Sequence, residues 1–248
     1  MNILTRAVFA LLFTFFAAGA TFAHNTAGHQ DPKAVEVLNN MAAYTASMDR
    51  FVITGETHTD ARLDVGLIIS NSRESQLFVD RSGSLVVSSF DGVDTSEIYI
   101  HDGMLRVFSC KHNYYARTKA PENLEAALHF ALDEFDVETP LMDFVFADAL
   151  SHLLDDQDTV IYLTDKSRIR GVDCHHIIVR GPEVDLQLWV EEGDRPVPRK
   201  ILITSILEAG SPRHYAFLDW SLQTDLEPAI FEFDAPEDSI EIEFIGAP

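Results

Sequence analysis

The sequence predicts an α+β fold built on one large antiparallel sheet of about ten or eleven strands. Short segments rich in β-branched and aromatic residues follow one another, separated by turn signals such as Asp91-Gly92 and Asp102-Gly103. Helical periodicity appears in only three places, near the N-terminus and twice in mid-chain. The strand–helix alternation of a parallel sheet is absent. A sheet of this size usually curls.

The elements follow in order. Asp31-Pro32 reads as a helix start, with Asp as the cap and Pro at the first helical position. Ala34, Val35, Leu38, Met41, Ala42, Thr45 and Met48 then recur at helical spacing, and the helix is expected to end near Asp49. From Phe51 to Ala120 the texture is that of an antiparallel meander. Pro121 to Asp136 returns to helical period through Leu124, Leu128, Ala131, Leu132 and Phe135. Pro140 opens a second mid-chain helix dense in apolar residues, among them Leu141, Met142, Phe144, Val145 and Phe146. Helices this apolar must be buried, or must cover an apolar cavity. Strands resume from Thr159 and continue to the FEF triplet at 231–233.

The first residues carry Arg6, an apolar run from Ala7 to Ala18, and small residues at Thr21 and Ala23. This is the pattern of a secretory signal peptide cut after Ala23, the alternative being an uncleaved anchor. About 225 residues remain, which suits one domain over 24–248 with a sizeable core. The expected location is the periplasm. No later stretch is long and apolar enough to suggest a membrane span, so no integral membrane protein is expected. The chain carries 18 basic and 40 acidic residues, a formal charge of −22. Such a charge disfavours nucleic acid and anionic lipid surfaces by repulsion. The acidic run Leu154–Asp158 lacks the ligand spacing of a calcium loop.

One stretch concentrates reactive residue types: GVDCHHIIVRG, 171–181. Alternation along a strand sends His175 and His176 to opposite faces, so they cannot easily share one metal ion. Cys174 and His175 likewise make a poor nucleophile–base pair. His101, His112, His152 and His214 show no metal-binding spacing. No serine-nucleophile elbow, paired glycosidase-like carboxylates or phosphate loop is evident. The sequence therefore points to no catalytic residue, no metal and no cofactor. A disulfide between Cys110 and Cys174 is permitted in an oxidising compartment, with two free buried thiols as the alternative.

The segment LWVEEGDRPVPRKILITS, 188–205, resembles the strand–turn–strand of the outer-membrane lipoprotein carrier (LolA/LolB-like) superfamily through Trp189, Glu191, Pro198, Arg199 and Lys200. Together with DPKAVEVLNNMAAYTASMDRF, HNYYARTKAPENLEAAL, ETPLMDFVF and GVDCHHIIVRG, it resembles a narrower family of predicted periplasmic proteins, domain of unknown function 2092. The likeness runs from Asp31 to about Phe233. It implies a half-open β-barrel with an N-terminal helix and two mid-chain helices packed on its concave face. In better-understood relatives the space between sheet and helices holds acyl chains.

The resemblance makes the expected role non-enzymatic: binding or carrying a hydrophobic small molecule or lipid. Leu186, Leu188 and Val190 would line the sheet, and Leu124, Leu128, Leu141, Phe144 and Val145 would close over them. Ordinary core is the competing reading for each of these residues. A sensing or scaffolding module that binds another envelope protein, with a self-filled core, fits the same pattern.

Overall fold

The computed structural model describes residues 29–146, 159–222 and 225–246. The expected signal peptide and most of the expected second mid-chain helix lie outside them. The helices are α1 (Pro32–Ala46) and α2 (Leu124–Phe135). The strands are β1 (Arg50–Arg62), β2 (Ile68–Asp80), β3 (Ser84–Phe90), β4 (Thr95–His101), β5 (Met104–Ser109), β6 (Tyr114–Lys119), β7 (Val160–Leu163), β8 (Ser167–Ile169), β9 (Val172–Arg180), β10 (Val184–Glu191), β11 (Pro198–Ser205), β12 (Arg213–Ser221) and β13 (Ile240–Ile242). Hydrogen bonding orders them β13-β6-β5-β4-β3-β2-β1-β12-β11-β10-β9-β7, with β8 also on β9.

The expected α+β class with one large antiparallel sheet holds. Among the described residues the sheet has 13 strands, above the expected ten or eleven. The short β8 and β13 account for part of the excess, because three residues give too little alternation to read. β13 joins β6 in parallel. The FEF triplet is not a strand: Pro228–Phe231 forms a 3-10 turn, and Glu232 and Phe233 follow as irregular chain. The segment after Pro140 begins as a 3-10 turn, Met142–Phe144, rather than an α-helix. Leu141 enters that turn with a left-handed backbone (φ 59°), which no α-helix interior accepts.

The chain divides into two compact units. The first comprises Met1–Ala46, Thr57–Asn71 and Ala147–Phe217; the second comprises Ser47–Glu56, Ser72–Phe146 and Leu218–Pro248.

In the first unit, Asp31 caps α1 by accepting the Lys33 N–H at 2.8 Å. The helix buries Ala34, Val37, Leu38, Met41 and Thr45. It is tied to β7 by the Asp31 N–H, which donates to the Ile161 carbonyl at 2.9 Å. Register places Ile177, Leu188, Ile201 and Ala216 side by side on four consecutive strands. All four are buried, so β9 to β12 share one apolar face. Trp189 stands on the other face of β10. It stacks on His176 at 4.2 Å, and Lys200 Nζ lies 4.6 Å from its ring centre.

In the second unit, β2 to β6 align Leu77, Val87, Ile98, Val107 and Ala116 on one face. Helix α2 starts at Asn123, whose side chain accepts the Ala126 N–H at 2.9 Å, and buries Leu124, Ala127, Leu128 and Ala131. On the opposite sheet face, Val86, Phe78 and Tyr99 pack with Leu226, Ile230 and Phe231. Phe233 extends this cover, 5.2 Å from Tyr99 and 5.5 Å from Tyr115 between ring centres. The β4–β5 hairpin turns at Asp102-Gly103, both with positive φ (51° and 65°). That is the geometry a two-residue turn needs to match strand twist.

Candidate functional site

The residues expected to contact a ligand fall into two sets, one in each unit. Leu186, Leu188 and Val190 lie on β10, in the first unit. They are 4%, 0% and 0% exposed. Their neighbours across the ladder are Val179 and Ile203, Ile177 and Ile201, and His175 and Pro198. Leu124, Leu128, Leu141, Phe144 and Val145 lie in the second unit, each 5% exposed or less. Every predicted contact residue is therefore buried.

The second set has an unusual construction. Residues 139–146 form an apolar strap that follows α2. Leu141 Cδ1 lies so close to Gly55 that a side chain there would collide with it. Phe144 packs edge-on against Trp220, with ring centres 5.8 Å apart, and Phe51 lies 5.5 Å from the same indole. His129 of α2 stacks on Phe146 at 5.6 Å.

Arg81 fastens this strap. Its Nε donates to the Val145 carbonyl at 2.8 Å, and Nη2 reaches the carbonyls of Phe144 and Phe146 at 3.3 and 3.4 Å. Nη1 donates to the Met48 carbonyl at 2.7 Å. The guanidinium also lies over the Phe51 ring, 5.0 Å from its centre. Burial lowers the Arg81 pKa, with nearby Asp49 opposing. A planar fork of donors serves consecutive carbonyls in a way that a lysine cannot.

Asp143 sits in the middle of the strap. Its Oδ1 is buried and has no hydrogen-bond partner. Burial pushes its carboxyl up to about 7. A carboxylate in this position is costly as an anion and tolerable as a neutral acid.

Sequence reasoning missed Arg81, Asp143, Gly55 and Trp220 as parts of one arrangement. Arg81 reads as the last residue of a strand-like segment, and nothing local reveals that the carbonyls of 144–146 meet it.

The reactive stretch 171–181 lies on β9 and its flanking turns. His175 pairs with Val190 and His176 with Trp189, so the two imidazoles sit at successive ladder positions that face opposite ways. His176 Nε2 is 3.0 Å from Gln187 Oε1, and His175 Nδ1 is 3.8 Å from Glu192 Oε1. The Cys174 thiol is buried and pushed up to about 11 by burial, which suits a structural thiol rather than a nucleophile. Cys110 is exposed, and both cysteines are free thiols in this structure. His214 is held down to about 4 by burial and by nearby His58, and it bonds Thr59 Oγ1 at 2.8 Å. Among the described residues, no group of three or more His, Cys, Asp or Glu is placed to hold a metal ion.

The Trp hairpin that carries the family resemblance is built from packing and from ion pairs on Glu191, whose Oε1 lies 3.9 Å from Arg195 Nη2. Glu191 Oε2 meets Arg199 Nη2 at 2.6 Å, with both side chains about seven-eighths buried (12% and 13% exposed). Lys200 spans Trp189, Phe217 and Tyr215 at 4.6, 4.9 and 5.7 Å, and burial lowers its pKa.

Residues 34–245 match the family model described as predicted periplasmic protein (DUF2092). The chain belongs to that family. No curated protein matches the sequence. Among solved structures, LprF from Mycobacterium bovis is similar, with TM-score 0.50 and 9% identity over 81% of this chain and 98% of that one. An uncharacterized conserved protein from Thermus thermophilus gives TM-score 0.44 and 10% identity over 85% of this chain and 99% of that one. A LolA superfamily protein, NE2245 from Nitrosomonas europaea, gives 0.35 and 13% over 81% and 97%. At these identities the likeness to LprF speaks for a shared fold. Among the described residues, no helix of this DUF2092 protein is long and apolar enough to cross a membrane.

Proposed function

We propose that this chain is a periplasmic, non-enzymatic binding module or carrier for a hydrophobic ligand of the acyl-chain type. The observation that carries this reading is the strap at 139–146. It is an apolar segment held over Phe51 and Trp220 by one arginine acting on backbone carbonyls. It also encloses a carboxyl oxygen without a partner. A segment whose carbonyls are held by one side chain and that carries an unmet polar group detaches at lower cost than a regular helix or strand. The apolar surface it covers then becomes available. About ten buried methylenes at ~0.8 kcal/mol each contribute about 8 kcal/mol, enough for micromolar binding before ordering costs.

A specific observation favours a second reading. All eight predicted contact residues are 5% exposed or less, as in a core filled by its own side chains. In that case the chain is a sensing or scaffolding module that binds another envelope protein.

Native mass spectrometry of protein purified without detergent separates the two. The carrier reading predicts an adduct that organic solvent strips off as a lipid, and uptake of added fatty acid. A clean mass with no uptake overturns it in favour of the self-filled module. The two apolar sets are tested separately: Phe144→Arg probes the second unit and Leu188→Arg the first. Lipid retained by a folded Phe144→Arg protein excludes the strap as the binding place.

A further inference from the structure

We propose that the β1–β2 and β11–β12 turns together form a docking tip that inserts shallowly into the surface of a zwitterionic lipid bilayer. The first unit exposes a concentrated set of large apolar side chains at these turns. In the β1–β2 turn and the start of β2 they are Leu63 (41%), Val65 (77%), Leu67 (64%), Ile68 (45%) and Ile69 (41%). Ile206 and Leu207 (72%) stand at the β11–β12 turn. The two turns touch: a side chain at Gly210 would meet Ile68 Cδ1 at 2.9 Å.

Three features select a bilayer over a protein surface. First, Ile68 and Ile69 are consecutive strand residues and so point to opposite faces, yet both are exposed. A protein partner would cover one face of this ribbon; a surrounding apolar medium covers both. Second, the backbone of the tip is internally bonded. The Leu63 N–H donates to the Leu67 carbonyl and the Gly66 N–H to the Leu63 carbonyl, each at 2.8 Å. The Ser211 N–H donates to the Glu208 carbonyl and the Ile206 N–H to the Glu183 carbonyl, each at 3.0 Å. A tip entering the interface must leave few backbone donors unmet. Third, the charges beside it are Arg62, Asp64, Glu183 and Glu208 and the paired Asp60 and Arg213, with no lysine, on a chain of net charge −22. Nothing here would draw the tip to an anionic surface, and repulsion opposes one. The attraction rests on apolar area alone.

The test is flotation of the mature chain with phosphatidylcholine vesicles. The wild type is expected to float with the vesicles and to lose partition when an anionic phospholipid is added. The double variant Val65→Asp/Leu67→Asp should partition at least tenfold more weakly, and Leu207→Asp should also weaken, with unchanged thermal unfolding. Val93→Asp, 68% exposed but in the second unit, should float like wild type. A wild type that stays with the bulk protein, or a double variant that floats undiminished, overturns the proposal. So does a wild-type dimer on size exclusion that the same substitutions dissolve, because the occupant is then a second copy of the chain. Uptake of a soluble fatty acid by the tip variants at the wild-type level keeps this outcome separate from that of the binding-module reading.

Discussion

Asp143→Asn should make the protein more stable at pH 8 than at pH 5 relative to wild type. In the folded chain the carboxyl stands at about 7, against an ordinary value of 3.8, because of burial. Below about pH 4 it is protonated in both folded and unfolded states and contributes no pH dependence. As pH rises from there, the folded state retains a proton that the unfolded state releases, so wild-type stability falls. Above about pH 7 the penalty is complete, and a shift of this size corresponds to roughly 4 kcal/mol. Asparagine has nearly the same shape and never ionises, so the penalty disappears. Its amide hydrogens bring an unmet-donor cost of about 1–3 kcal/mol, but that cost is the same at every pH. His214 acts in the opposite direction: its pKa is held down to about 4, so its contribution is present above 6.5 and lost as pH falls. That slope is common to both proteins and cancels in the difference. The assay is urea unfolding of both proteins at pH 5 and pH 8, followed by indole fluorescence, since Trp220 lies against Phe144 beside Asp143. A wild-type-minus-variant difference that is equal at the two pH values would refute an ionisable group enclosed in the strap.

Gly55→Ala should destabilise the second unit by about 1–3 kcal/mol in urea unfolding, because the added methyl meets Leu141 Cδ1 and forces the buried Leu141 side chain to shift. Leu141→Ala in the same chain should recover part of that loss, which a double-mutant cycle reads directly. Arg81→Lys should cost about 2–4 kcal/mol, since one ammonium cannot serve the carbonyls of Met48, Phe144, Val145 and Phe146 together; fatty-acid release, where binding is found, should quicken. Thiol titration of the native protein should count one reactive cysteine, Cys110, with Cys174 appearing only in denaturant. No reactive thiol in either condition would instead indicate a disulfide.

Much of the fold was legible because local signals and tertiary outcome agree. The Asp31 cap, the apolar face of α1, the Asp102-Gly103 turn and the alternation of Leu186, Leu188 and Val190 each follow from chemistry within a few residues. The failures have equally local causes. Leu141 to Phe146 is apolar enough to read as helix, but what places it is the guanidinium of Arg81, some sixty residues away in sequence. The FEF triplet alternates like a strand, yet Phe231 and Phe233 serve as a cover on the β3–β6 face rather than as ladder members. β13 is three exposed residues paired in parallel with β6, a register that no turn chemistry announces.

The family signature and the candidate sites therefore belong to different parts of the chemistry. Trp189, Glu191, Arg199 and Lys200 satisfy one another: indole under ammonium, carboxylate on guanidinium, the latter two side chains 12% and 13% exposed. These four side chains are occupied with one another. Function is better sought where local rules are broken without an evident structural return. Two such places bear on ligand and membrane contact. One is the strap, where Asp143 Oδ1 is buried with no partner. The other is the tip, where Val65, Leu67 and Leu207 stand in water on turns that polar residues would serve better. Substituting Trp189, Glu191, Arg199 or Lys200 should cost stability and say little about binding. Substituting the strap or the tip should change what the protein holds or where it docks, with little cost in folding at the tip.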